Sequence, residues 1–202
     1  MNLNNYYLHA IKDNKFYPSK DAIKKLESIL EKNNILSRRL QNYKSNYLSF
    51  NGLDYISLCD PSKPREGYSA FNYFIKTSLS LVISKDIDVV NPEKIDIVIN
   101  KPKDLQKYTN SNIRYTNFKD EVQVENNVQL SNIVAITIPL SNIINPFKSK
   151  KSNKKTIIKG LNILKELLIK HNFNKPIYDI ETLSILDNEN NIDKIIIKKK
   201  TS

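Results

Sequence analysis

The sequence predicts an α+β fold, and three observations carry that prediction. Short strand-like runs follow one another through the middle of the chain, at 54–58, 79–84, 95–99, 121–124 and 133–138. The two clear amphipathic helices stand apart from those runs, one before them and one after. A hydrophobic share of 40% in 202 residues supplies one core. Strands and helices do not alternate, so a doubly wound parallel sheet is not expected.

Tyr6 to Ile11 is an apolar, aromatic run that reads as the opening strand. Pro18-Ser19 then introduces a helix in which Ala22, Ile23, Leu26, Ile29 and Leu30 share one face, with Lys24, Lys25, Glu27 and Lys32 on the other. Asn33-Asn34 supplies its stop, because asparagine tolerates the left-handed conformation at a helix end. Ile35-Leu36 begins a second strand that runs into Ser37-Arg38-Arg39, and residues 40 to 53 read as a polar loop. Asp54 to Leu58 alternates as a strand, a proline-containing turn follows, Ser69 to Thr77 reads as a helix, and Leu79 to Ser84 as a strand. Ile95 to Ile99 alternates like a half-buried strand, whereas Lys101 to Asp120 is irregular. Glu121 to Val124 and Ile133 to Ile138 are the next strands, joined through Glu125-Asn126-Asn127. Lys148 to Lys155 is a low-complexity basic loop or linker. Thr156 to His171 is the clearest helix, with Ile157, Leu161, Leu164 and Leu168 on one face, and Ile177 to Ile197 reads as strands around an Asn-rich turn. The expected organisation is a single domain over 1–202, with 156–202 docked on its core.

Composition removes several chemistries. Three glycines, Gly52, Gly67 and Gly160, make neither a P-loop nor a dinucleotide fingerprint. Cys59 is the only cysteine, so an intramolecular disulfide and a cysteine-based metal site are both excluded, and a buried small hydrophobe is its expected role. His9 and His171 are not spaced as a local metal pair, and no metal is expected. The net charge is +11, mostly from lysine; arginine occurs only at Arg38, Arg39, Arg65 and Arg114. Scarce arginine speaks against a plain nucleic-acid-binding domain, which favours the bidentate contacts of that side chain. No signal peptide and no apolar run of about 20 residues, the length needed to cross a bilayer, are visible. The expected location is the cytoplasm, or a target cell reached through a specialised secretion apparatus.

Three segments in order resemble ADP-ribosyltransferases of the histidine–tyrosine–glutamate type, shared by diphtheria-like toxins and poly(ADP-ribose) polymerases. They are Tyr6-Tyr-Leu-His-Ala-Ile11; Asp54-Tyr-Ile-Ser-Leu58 with Tyr68-Ser-Ala-Phe-Asn-Tyr73; and Asp120-Glu-Val-Gln-Val124 with the strand up to Ile138. The resemblance implies two packed, mainly antiparallel sheets with flanking helices, and NAD as the substrate. It also implies Glu121 as the catalytic carboxylate and His9 on the adenosine-side ribose. Ala10 stands where the family carries glycine, which leaves a main-chain contact to nicotinamide. Tyr73, or Tyr68, would stack on nicotinamide, Ser69 or Ser57 would hold its carboxamide, and Tyr55 falls in the same pocket-lining strand. Arg38 or Arg39 would pair with the pyrophosphate.

The chemistry suits these residue types. Nicotinamide–ribose cleavage passes through an oxocarbenium-like state, so a nearby carboxylate stabilises the transition state more than the ground state. The implied activity is mono-ADP-ribosyl transfer to a macromolecular acceptor, a protein before a nucleic acid, in the manner of toxins or secreted effectors. The alternatives are a nucleic-acid-modifying enzyme and an inactive binding protein of the same fold.

Overall fold

The computed structural model describes residues 1–11, 20–37, 40, 55–65, 69–94, 115–116, 118–140, 154–187 and 189–201. It is α+β, as the pattern of runs requires. Strand β1 (Tyr6–Ile11) is followed by helix α1 (Lys20–Lys32), β2 (Asn34–Leu36) and β3 (Tyr55–Cys59). A four-residue helix α2 (Ala70–Tyr73) and a 3-10 turn (Ile75–Thr77) lead into β4 (Leu79–Ser84), then β5 (Glu93–Lys94) and β6 (Tyr115–Thr116). Next come β7 (Glu121–Glu125), β8 (Asn127–Gln129), β9 (Ile133–Ile138), α3 (Lys154–Lys170), β10 (Ile177–Asp179) and α4 (Glu189–Thr201).

Six strands form one sheet in the order β10-β9-β4-β1-β3-β7. Its neighbours are antiparallel except β9 and β10. In place of the two packed sheets expected, the described residues hold this sheet and two small ribbons, β2-β8 and β5-β6. The joint between β1 and β3 is narrow, because among the described residues the only pair across it is Leu8 with Cys59.

Alternation along the strands sorts their side chains onto two faces. The first carries Tyr7, Ile11, Ile56, Leu58, Leu81, Val122 and Val124, and packs into one cluster with Leu26 of α1, Leu161, Leu164 and Leu168 of α3, and Ile192 and Ile195 of α4. Residues of α3 and α4 are thus part of this cluster. Of Ile157, which was expected in the apolar stripe of α3, the side chain lies outside the described residues. The second face carries Leu8, Cys59, Val82 and Ala135 beneath Ala70, Phe71 and Ile75.

Several local signals act as expected. Asn33 takes a left-handed φ of 55° and ends α1. Asn126, with φ 63°, makes the turn after β7. The segment Ser69–Thr77 is shorter as an α-helix than its pattern suggests, since it breaks at Phe74 and continues as a 3-10 turn. The main correction lies at the C-terminus, where 189–201 is a helix and not a strand. Consecutive isoleucines favour strand locally, but Ile192, Ile195 and Ile196 recur at helical spacing and pack on the first-face core. The Ile95–Ile99 run and residues 148–153 of the basic stretch lie outside the described residues, while Lys154 and Lys155 already belong to α3.

Leu164 is fully buried, whereas Ile169 on the same helix is 70% exposed. Leu164→Ala is expected to lower stability by about 2–5 kcal/mol in urea melts. Ile169→Ala should change it by less than about 0.5 kcal/mol. Equal effects would mean that α3 does not dock as described.

Candidate functional site: a buried carboxylate at the start of β7

Strand β7 reads Glu-Val-Gln-Val-Glu, so one set of side chains is apolar and the other polar. Val122 and Val124 enter the first-face core. Glu121 and Gln123 must then point to the second face, together with the paired residues of β3, since Cys59 lies opposite Glu121 and Ser57 opposite Gln123. Polar side chains on a sheet face usually reach water. Here Glu121 is 3% exposed and Gln123 fully buried.

The Glu121 carboxylate is met by hydrogen-bond donors on three sides. Thr116 Oγ1 donates to Oε2, and Gln123 Nε2 donates to Oε1 at 3.2 Å. The Ser57 side chain is the third. Lys94 of β5 donates its ammonium to the Glu121 main-chain oxygen at 2.9 Å. Burial raises the carboxyl pKa above its ordinary value, while the bonds from Thr116, Ser57 and Gln123 and the Lys94 charge oppose that rise. Lys94 is shifted the other way: burial lowers its pKa, as does the Lys63 charge, and the charges of Glu121 and Asp120 counter both.

The neighbouring Asp120 anchors this arrangement. It is fully buried and accepts from Ser69 Oγ at 2.7 Å, Ala70 N at 2.6 Å, Phe71 N at 2.9 Å and Cys59 Sγ at 3.4 Å. Asp120 therefore caps α2, and Ser69 is the N-cap residue whose hydroxyl also accepts from Asn72 N at 3.3 Å. A Ser69 hydroxyl held this way is structural in the described state and is not presented to a nicotinamide carboxamide. Cys59, which burial and Asp120 push to a raised thiol pKa, is the inert residue expected of it.

The aromatic candidate Tyr73 is 56% exposed and meets Phe118 edge-to-face at 5.9 Å. Phe118 belongs to the turn that leads into Glu121, so Tyr73 stands beside the site. Tyr55, two positions before Ser57 on β3, pairs with Glu125 and is half-buried. Ala10, half-buried on the second face, lies opposite Ser80. Arg38, Arg39 and Tyr68 lie outside the described residues.

His9 lies on the other face of the sheet. It pairs with Leu81 and alternates with Leu8, which puts it on the face of Tyr7 and Ile11, across the sheet from Glu121. The two residues meet through Ser57. Nδ1 of His9 is 3.0 Å from the Ser57 carbonyl oxygen, where β1 and β3 have ceased to pair, and Glu121 takes the Ser57 side chain. A carbonyl can only accept, so Nδ1 carries the proton in this contact and the neutral ring offers a lone pair at Nε2. Burial lowers the His9 pKa, with the Ser57 bond opposing.

Thr116, Lys94 and the role of Gln123 were not read from the sequence. Gln123 was accessible to such a reading, because two positions along a strand share a face. Thr116 and Lys94 were not, since they lie on β6 and β5, which pair with each other and meet Glu121 only in the folded chain.

Among the described residues, Glu27, Glu31 and His171 bring potential metal ligands within 4.8 Å of one another. The Lys170 ammonium already sits 2.7 Å from Glu27 there. No helix among the described residues is long and apolar enough to cross a membrane. Comparison with family models, curated proteins and solved structures gives no match to this chain.

The direction of the Glu121 shift predicts a pH dependence. A carboxyl whose folded pKa is raised takes up protons on folding, so its contribution is fully present below the unfolded value, about 4.3. It is lost as pH rises through the folded value. Wild-type stability should therefore fall relative to Glu121→Gln as pH rises through that window, read by denaturant melts at each pH. Parallel curves for the two proteins would show that Glu121 is not desolvated.

Proposed function

We propose that the chain is an NAD-dependent mono-ADP-ribosyltransferase in which Glu121 stabilises the charge that develops on the nicotinamide ribose. The observation that carries this proposal is the carboxylate of Glu121, buried at the first position of β7 and aimed by Ser57, Thr116 and Gln123. The bond from ribose C1′ to the nicotinamide nitrogen breaks and its electron pair leaves with nicotinamide. An acceptor nucleophile forms the new bond to C1′ and loses its proton. In a water-poor site a fixed carboxylate acts on the growing positive charge far more strongly than it would in water. Tyr73 beside the Phe118 turn suits stacking on the nicotinamide ring. The acceptor is a macromolecule, a protein before a nucleic acid, and the family resemblance points to a toxin or secreted effector.

Two observations favour a second function, an inactive binding protein of the same ancestry. Glu121 is almost wholly covered, and His9 lies across the sheet from it. In that case the carboxylate is a structural hydrogen-bond hub and His9 orders the Ser57 strand.

Incubation with labelled NAD and cell lysate separates the two. Active enzyme transfers label to an acceptor, and Glu121→Gln lowers the rate by about 10²–10³-fold while the protein melts cooperatively as before. Because the carboxylate must be ionised, transfer should rise with pH through the raised Glu121 pKa. Wild-type turnover by the Gln variant would remove Glu121 from the chemistry. Absence of labelling by folded wild-type protein would favour the binding function.

A further inference from the structure

Gln123 has a feature that the hydrogen bonding of the site leaves unused. Its main chain is held on the β7 edge by Val90, through bonds of 2.9 Å from its N–H and 2.8 Å to its carbonyl. Alternation and pairing with Ser57 set its side chain on the face of Glu121. The amide Nε2 goes to Glu121. The amide oxygen Oε1 is buried and has no hydrogen-bond partner among the described residues, in a residue with no exposure at all. A buried carbonyl without a donor is destabilising, and beside a buried carboxylate it is a place where a ligand hydroxyl or a water supplies the missing bond.

Glu121 and Gln123 thus bring two acceptors side by side, a carboxylate and a carboxamide oxygen. Their natural complement is a pair of adjacent hydroxyls. We infer that Gln123 is a specificity-determining residue whose Oε1 accepts one hydroxyl of a ribose cis-diol while Glu121 accepts the other. The site then takes ribosyl donors and discriminates against deoxyribosyl ones. The inference rests on the NAD function proposed above and adds the group that reads the sugar. Glu121 must lie near C1′ to act on the developing charge, so it takes the 2′-hydroxyl, and Gln123 takes the 3′-hydroxyl. Gln123 therefore does two things at once. Its nitrogen aims the carboxylate, and its oxygen tests the substrate.

The test is titration calorimetry of wild-type protein and Gln123→Met with NAD, and with an NAD analogue that lacks the 3′-hydroxyl on the nicotinamide ribose. Loss of one neutral hydrogen bond corresponds to about a three- to tenfold weaker affinity. That loss is expected for the analogue on wild type, and at least as large a loss for NAD on the variant, which also gives up the Nε2 bond to Glu121. The two losses should not add when the analogue meets the variant, because both delete the same contact. The analogue arm on wild type needs no substitution and stands even where the variant folds poorly. Equal affinity of wild type for NAD and the analogue, or fully additive losses, would overturn the Gln123 inference and leave the NAD function intact. If neither NAD nor ADP-ribose binds wild-type protein with a folded circular dichroism spectrum, the function and the inference fall together.

Discussion

The buried carboxylate of Asp120 is the joint on which the site depends. Its oxygens gather donors from Ser69, Ala70, Phe71 and Cys59, and its own main-chain oxygen accepts from Asp60 N at 2.7 Å. A helix of four residues cannot sustain itself in water, because its nucleation cost is not repaid by propagation. Asp120 supplies what α2 lacks, a capped N-terminus anchored to the end of β3. That anchoring seats Phe71 and Ile75 over the second face of the sheet. It also sets where β7 begins, and with it where Glu121 stands.

The two faces of the sheet divide the work of folding and function. The first face is mainly apolar around His9, and helices from both ends of the chain close on it, which provides the main favourable term for burial. The second face places Ser57, Glu121 and Gln123 on neighbouring strands, where each polar group must find a partner or cost stability. Thr116 serves two of those needs, since Oγ1 donates to Glu121 and accepts from Phe118 N at 3.1 Å. A face built this way is expensive to bury, and its hydrogen bonds define one geometry more sharply than apolar contacts do.

The narrow joint between β1 and β3 gives Ser57 its place at the centre. Pairing stops after Leu8 and Cys59, so the Ser57 carbonyl is met by the His9 imidazole. A histidine and a glutamate distant in sequence are linked through one serine without facing each other. The spacing of motifs along the chain expresses proximity of this kind, but it carries no information about which side of a sheet each residue takes.

Much of the fold was legible because its signals are local. The runs that became β1, β4 and β9, the asparagine that ends α1, and the stripe of Leu161, Leu164 and Leu168 follow from side-chain period and backbone preference within a few residues. Glu121 at the head of a strand was readable for the same reason. The C-terminal isoleucines were misread because their strand preference is local, whereas the apolar surface that turns them into one face of a helix is brought together only by the folded core. The side of the sheet that His9 takes was not legible for a related reason: the face a strand residue occupies depends on the register of its partners, and register is a property of the assembled sheet. Thr116, Lys94 and the unpartnered oxygen of Gln123 belong to the same class. Period and propensity settled most of the strands and helices, α4 excepted, and the pairing of strands decided which polar groups are buried together around Glu121, because register and burial are properties of the assembled sheet.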